Sequence, residues 1–479
     1  MKQVDEKRLP KNGRAVDGYP ILTKPSSGQA APDPPGFNLL DIALFRRLIQ
    51  SRFYPGVLQA ITALVFTVIV YQLLAGSSTA HDNFGTAMTW VLWWPLIPLF
   101  FLVLGRFWCA ICPFATISDA IQKVVGRNRP VPSFLKRYGI WIIDAIFISI
   151  TWSDHVFGIV ESPRGSGVLL LGLVLGVVTV GSFFERRTWC RYLCFLGGLS
   201  GNYSRTGAME LRATPSKCAK CKVQACYRGS EKAPGCPMFE FPRTMDTSAR
   251  CNLCGYCVKS CPNDSIRISV RVPSKELWSI RNPRFEESFL ACVIMGVVFV
   301  QNITMLGVWK GILTWLEGVT GTDSYFVTFT IAFAVAMALP ILALLGAGYV
   351  SNLTGKKGVV ATFTIFGYAL IPLDLAGHLA HNLFHLLAEG KNILYTGLDM
   401  FGVQSSGSAA LMDSATIQVL QYLLVLTGVA GSAYTAYRIS KSQAGKARGA
   451  AAWLPIAALV VILGAVNLFL FYLPMEMRM

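Results

Sequence analysis

The stretch Cys251-Asn-Leu-Cys254-Gly-Tyr-Cys257-Val-Lys-Ser-Cys261-Pro262 decides how the rest of the chain is read. Its C-x2-C-x2-C-x3-C-P spacing lets three thiolates of one tight loop hold three corners of a cubane iron–sulfur cluster, with the fourth Cys turned to a neighbouring cluster. Upstream, Cys218-x2-Cys221-x4-Cys226-x9-Cys236-Pro237 is a stretched version with the closing Cys-Pro intact. Two half-motifs imply two clusters. Zinc ribbons or disulfides are the alternative, but zinc sites usually show two C-x2-C pairs and no such C-P run.

The crossed ligation of two-cluster ferredoxins assigns Cys218, Cys221, Cys226 and Cys261 to one 4Fe-4S cluster, and Cys251, Cys254, Cys257 and Cys236 to the other. Cluster assembly needs reduced thiols, so the segment is expected on the cytoplasmic side.

Around this stretch the composition is that of a membrane protein. Of 479 residues, 53% are hydrophobic and only 14% charged, which points away from a set of soluble domains. The 43 Lys and Arg against 26 acids give +17. In a soluble chain that would suggest nucleic acid. Here the basic residues lie between apolar runs, in the positive-inside pattern. No Walker motif, dinucleotide fingerprint or Ser-His-Asp arrangement is present.

The expected architecture is an α-helical polytopic membrane protein of about nine spans with an inserted cytoplasmic ferredoxin-like domain holding two 4Fe-4S clusters. Residues 1–37 read as a disordered basic cytoplasmic tail with no signal peptide. Residues 38–184 read as an interfacial helix followed by a four-span unit, 185–287 as the ferredoxin-like domain, and 288–479 as a C-terminal membrane domain of about five spans. In the interfacial helix Leu40, Leu44, Leu48 and Ile49 recur at helical spacing among Arg46, Arg47 and Arg52, as for a helix on an anionic inner leaflet. The spans are expected at 57–76, 86–104, 138–152, 167–184, 288–308, 325–349, 359–387, 417–437 and 451–473, each near the ~20 residues a bilayer requires. Loops carrying Arg106, Lys123, Arg127, Arg129, Lys136 and Arg137, then Lys356 and Lys357, then Arg438, Lys441, Lys446 and Arg448 alternate with bare ones. The N-terminus is therefore expected inside and the C-terminus outside.

A repeat emerges within the four-span unit. Arg106-Phe-Trp108-Cys109-x2-Cys112-Pro113 ends the second span, and Arg187-Thr-Trp189-Cys190-x3-Cys194 ends the fourth. The shared R-x-W-C reads as a parallel duplication that brings four Cys together. They could hold a third iron–sulfur cluster, act as redox-active thiols, or simply pack as small hydrophobes. Cys292, alone in the fifth span, reads as packing.

At these motifs the chain resembles the membrane-bound polyferredoxins of the NosR/NapH type, related to those of cytochrome oxidase maturation. The resemblance covers about 46–308 and rests on the four-span unit, the paired cysteines and the two half-motifs. It implies an electron carrier that is linked to quinol and feeds or draws from a partner redox enzyme, or maintains a metal site. The paired motifs here are C-x2-C-P and C-x3-C, where the family typically has C-x3-C-P twice. The C-terminal spans are absent from shorter members.

All five histidines fall on the expected outer side: His81 in the first outer loop, His155 after the third span, and His378, His381 and His385 in the seventh. Asp374, His378, His381 and His385 share one helical face, and ionisable groups inside a membrane usually mark a pathway or cofactor. A haem b or copper ion would use the imidazoles, with Asp374 orienting His378 and His81 or His155 as a second ligand. A quinone would take a His hydrogen bond, with Asp374 as proton relay. Plain interhelical polar contacts are the third reading. Pro372 is placed to kink this helix. Asp144 is expected to pair with an Arg, to serve a proton route or to be hydrated, and Trp90, Trp93 and Trp94 to form an interfacial belt.

The combined expectation is an iron–sulfur electron-transfer protein of the bacterial inner membrane. It would join the quinone pool, or an outer-side haem or copper site, to clusters serving a partner redox enzyme or soluble carrier. A basic surface of Lys217, Lys220, Lys222, Arg228, Lys232, Arg243 and Arg250 suits an acidic ferredoxin or flavodoxin. The alternative is a redox maturation or regulatory factor, for example for copper reduction or delivery.

Overall fold

A computed structural model describes residues 36–219, 221–355, 358–403, 405, 407–443 and 452–474. The expected tail at 1–35, and Lys220, Lys356, Lys357, Lys446 and Arg448, lie outside the described residues.

Among the described residues, eight helices are long and apolar enough to cross a membrane, and a bent pair, Val359–Ala369 with Ile371–Glu389, makes a ninth candidate. The chain is a multi-pass membrane protein built mainly of helices. Its fifth span, Phe285–Ile303, is the hub: it is the most enclosed and packs on the third, sixth, seventh and ninth. Its small and branched residues, Ala291, Val293, Gly296 and Val297, are buried on every side, as in a helix without a lipid-facing stripe.

Three spans differ from the sequence expectation for physical reasons. The third runs Ser133–Phe157, 25 residues, because its polar first turns continue the helix beyond the apolar run. The second does not stop at Leu104; the helical path continues to Val125 through a break at Gly105, whose φ of +58° favours a residue without Cβ. The seventh bends by 45° between Ala369 and Ile371, just before Pro372, whose ring cannot accept the preceding turn.

Between the fourth and fifth spans the chain leaves the bundle. Met209–Ala213 and Ile266–Val270 pair antiparallel, with Leu211 opposite Ile268. These strands carry the cysteine loops and share a small core with Val258 and Leu253. Beneath the strands lies an ion-pair network: Glu276 receives Arg271 at 2.6 Å and Arg212 at 3.0 Å. Burial would raise the Glu276 carboxyl, but the guanidiniums of Arg271, Arg212 and Arg205 override it and hold the group at about 2.

The segment before the first span also belongs to this core. Asn38 bridges Ser269, Leu40 and Ile49 are buried in the core, and the Tyr54 hydroxyl donates to the Leu253 carbonyl at 2.8 Å. The expected interfacial face is therefore split: Leu40 and Ile49 turn onto the insertion, and Leu44 and Leu48 face outward.

Candidate functional site

The two halves of the four-span unit make the same local structure. Each span ends in a break, followed by a short helix bearing the first Cys: Trp108–Ile111 with Cys109, and Thr188–Tyr192 with Cys190. The second Cys is extended, with ψ of 134° at Cys112 and 115° at Cys194, and caps the next helix. That conformation turns both thiols inward. Cys112 has Cys109 and Cys190 as its electrostatic neighbours, and Cys194 has Cys112 and Cys109.

Arginines lock the halves together. Arg187 gives Nη1 to the Cys109 carbonyl at 3.2 Å, and Arg106 gives Nη2 to the Cys190 carbonyl at 3.4 Å. Arg187 is also held by Asp119 at 2.7 Å. The Arg106 Nε–H points at the Cys109 sulfur at 3.4 Å.

The cysteines of the insertion form two sets. Cys218, Cys221, Cys226 and Cys261 line one small cavity with Phe241 and Ile266. Cys236, Cys251, Cys254 and Cys257 are mutual electrostatic neighbours. Each set thus joins three cysteines of one half-motif to the last cysteine of the other. All thirteen cysteines are free thiols. Among the described residues no three His, Cys, Asp or Glu converge to hold a single metal ion. A cubane places iron at four corners, so its ligands ring a cavity rather than meet at a point. The first set does so. Burial pushes the Cys236 and Cys251 thiols up to about 12, so the positive charge of iron is what would keep them as thiolates.

The three sets form a series. Cys257 has Cys226 of the first soluble set among its neighbours. Cys254 is buried against Ala110 and Ile111, the two residues between Cys109 and Cys112. Arg106 completes the junction by donating Nη1 to the Ala249 carbonyl at 2.6 Å.

Beyond Cys194 opens the cavity that reaches the histidines. It holds about 1250 Å³ of open space, mouth included, and its wall is mainly apolar. Cys194, Trp189 and Phe195 line it, together with Gln301, His381, Asn382 and His385. Trp90, Trp93 and Trp94 line it too. They are not an interfacial belt, because the second span turns this face into the bundle, where Trp94 meets the His378 ring edge-on at 5.8 Å.

The structure divides the expected polar face of the seventh span. His381 and His385 open to the cavity, with ring centres 5.2 Å apart. Asp374 and His378 are sealed in the core. Asp374 does not orient His378: His378 Nδ1 lies 3.2 Å from the Tyr203 hydroxyl, and neither Asp374 oxygen has a hydrogen-bond partner among the described residues. His381 Nδ1 meets Asn302 Oδ1 at 2.8 Å. His385 Nδ1 lies 3.5 Å from Glu389, whose carboxylate is otherwise without a hydrogen bond. Glu389 and Tyr203 escaped the sequence reading. Glu389 lies four residues past His385 on the same face, and that spacing was the signal available.

His81 and His155 do not line the cavity. His81 sits in its loop beside Asp82 at 3.3 Å, and His155 bonds Thr151 at 2.9 Å while stacking on Phe329. Among the described residues Asp144 has no Arg partner: it is buried and both its oxygens lack hydrogen bonds. Cys292 packs in the hub helix as expected.

Comparison with known proteins points to iron–sulfur chemistry. A family model described as a 4Fe-4S binding domain matches residues 86–132 and 166–212, so each match brackets one pair of membrane cysteines. A second model of the same description matches residues 248–267. The chain is 25% identical over 242 residues to the Escherichia coli (strain K12) protein named "Putative electron transport protein YccM", covering 44% of this chain and 63% of that one. It is 22% identical over 238 residues to "Uncharacterized protein MJ0749" of Methanocaldococcus jannaschii, covering 48% and 89%. The chain thus spans less than two thirds of the length of the E. coli relative. No solved structure matches.

Proposed function

We propose that this chain, a polyferredoxin with 4Fe-4S binding domains in both membrane repeats and in its soluble insertion, exchanges electrons between a membrane quinone and a redox partner. The observation that carries the reading is the series itself: one cavity touches both Cys194 and the His381–His385 pair, and Cys194 begins a line of three cysteine sets. Cys218, Cys221, Cys226 and Cys261 would hold one cluster, Cys236, Cys251, Cys254 and Cys257 a second, and Cys109, Cys112, Cys190 and Cys194 a third. Such clusters supply one-electron steps, with potentials tuned by hydrogen bonds and exposure.

The residues of the cavity suit a quinone. Its tryptophan walls exclude water from an apolar ring and tail, and Gln301, Asn382 and His381 supply polar atoms. Oxidation of a quinol there releases two electrons and two protons. The electrons leave singly through the Cys194 side. His385, beside Glu389, is the acceptor for the two protons in turn, one with each electron, at Nδ1 or Nε2, and Glu389 leads each of them toward the end of the seventh span away from the cysteines. Reduction of a quinone runs the same groups in reverse. The cysteine-bearing side is assigned to the cytoplasm of a bacterial inner membrane. There, Lys217, Lys222, Arg228, Lys232, Arg243 and Arg250 of the insertion would steer an acidic carrier. A haem or copper site, and the maturation role built on one, are less well supported, because the imidazoles have separate protein partners.

The test is reduction of the purified, reconstituted protein by a menaquinol or ubiquinol analogue, followed by cluster absorbance and electron paramagnetic resonance. The expected result is about twelve iron per chain, in three four-iron clusters, with clusters bleached by quinol. Full iron content without any electron exchange with quinol or quinone would sink the cavity assignment.

A further inference from the structure

The tryptophan-lined cavity has two kinds of wall. Its back comes from the fifth and seventh spans, and there two acceptors stand without a hydrogen-bond partner among the described residues, Gln301 Oε1 and Asn382 Oδ1. Asn382 is 1% exposed, and its Nδ2 donates to the His378 carbonyl at 2.7 Å. That bond fixes which end of the amide is left for the cavity: the oxygen, which can only accept. A buried acceptor left unmatched is costly, and a ligand hydroxyl would match it.

The front wall comes from the third span, Ser133–Phe157, and the fourth, Pro163–Phe183. The polar groups they bring are already used. Thr151 Oγ1 donates to the Phe147 carbonyl at 3.0 Å, and Asp154 Oδ1 accepts from the Val160 amide at 2.9 Å. Ser166 Oγ donates to the Ile159 carbonyl at 2.8 Å and accepts from the Trp90 indole at 2.9 Å. What remains of this wall is apolar: Phe147 and Ile150 on the third span, Leu169, Leu170 and Leu173 on the fourth.

The two spans also stand apart. The third packs on the fifth and sixth, and the fourth on the first and on the helix Pro113–Val125; though joined by the turn 158–162, they do not pack along one another. Ile150, Leu169, Leu170 and Leu173 are half-buried, and the adjacent Ser149, Val168 and Leu171 are exposed on the surface of the bundle. Both helices are apolar enough to cross a bilayer, so the cleft between them has the cavity on one side and lipid on the other.

We propose that this cleft is a lateral portal through which a lipid-dissolved quinol enters headfirst, its ring reaching Gln301 and Asn382 and its isoprenoid tail lying between Ile150 and the Leu170–Leu173 edge. A hydrocarbon tail suits that edge because its burial there strands no polar group. The proposal rests on the quinone reading of the cavity and adds the route and the form of the substrate, a tailed quinol drawn from the bilayer.

The experiment uses the full cluster-loaded chain in nanodiscs and compares menaquinol dissolved in the disc with menadiol, which has the same ring and no tail. Leu170→Trp and Leu173→Trp should slow cluster reduction by menaquinol about tenfold or more, the scale on which an apolar pocket discriminates by size. Reduction by menadiol, reduction by dithionite and iron content should stay near wild type. Ile150→Phe, a smaller change on the opposite edge, is read in the same way where a tryptophan variant loses iron. Asn382→Leu should raise the half-saturating concentration of both quinols alike, because it acts on the ring. Equal rates for the two quinols in the edge variants, slowed or not, or an Asn382→Leu defect confined to menaquinol, would overturn the portal and leave the quinone site standing. Failure of both quinols to reduce the wild-type clusters would remove the quinone site and the portal with it.

Discussion

Arg187 donates its Nη1 to the backbone oxygen of Cys109, 78 residues away in the other repeat, at 3.2 Å. Arg106 returns the contact to Cys190 at 3.4 Å. The two R-x-W-C turns are thus braced by each other rather than by their own spans, and the bracing fixes where the four membrane thiols point.

Arg187→Gln should therefore release the membrane set selectively. The change also strands Asp119 as a largely buried carboxylate that keeps only Arg186 at 3.1 Å. A loss of about 3 kcal/mol is expected where a buried pair is broken. Iron analysis should show about four iron fewer per chain, with the soluble clusters' signals intact. Unchanged iron would mean the bracing is dispensable.

The crossed sets make a sharper prediction. Cys261→Ala should damage the cluster held by Cys218, Cys221 and Cys226, and Cys236→Ala the one held by Cys251, Cys254 and Cys257. Reduced-state spectra distinguish the two. If each substitution affected only the cluster of its own half-motif, the crossing would be refuted.

His385→Leu keeps much of the side-chain volume and removes proton transfer at the cavity. Quinol-driven cluster reduction should fall by about 10²-fold, the scale of a lost acid–base group, while reduction by dithionite stays normal. Glu389→Gln should slow the same step and leave quinone affinity in place. Wild-type rates in both variants would move the proton route elsewhere.

Acid should loosen the insertion through Glu276. Its folded value, about 2 against an ordinary 4.5, means that its stabilisation is complete above about 4.5 and is lost as pH falls toward 2. A contribution on the order of 3 kcal/mol follows from a depression of that size. Stability of Glu276→Gln should be lower than wild type at pH 7 and should converge with it at low pH. Parallel curves would show that the network is not ionic in effect.

The cysteine motifs and the repeat were legible because ligand spacing and the R-x-W-C recurrence are local, written in consecutive residues. The spans were legible for the same reason, as continuous apolar runs. What could not be read was which face of each helix turns inward. Trp90, Trp93 and Trp94 carry no mark that separates a lipid belt from a cavity wall; only packing against His378 decides it. Tyr203 lies 175 residues from His378, and no pattern links them. Leu40 and Ile49 had the periodicity of a membrane-surface helix, yet strand Ile266–Val270 offered them a protein surface instead.

The insertion is tied down at points far apart in the chain. Tyr54 bonds Leu253, Lys259 donates to the Tyr54 carbonyl, Arg106 bonds Ala249, and the Ala208 amide donates to Leu102 at 2.8 Å. A domain stapled in this way does not swing to deliver charge. Under the proposed function, tunnelling between the cysteine sets of the insertion and of the membrane repeats would then take place over a fixed gap, so its rate should be indifferent to solvent viscosity, which would slow only the arrival and departure of mobile carriers.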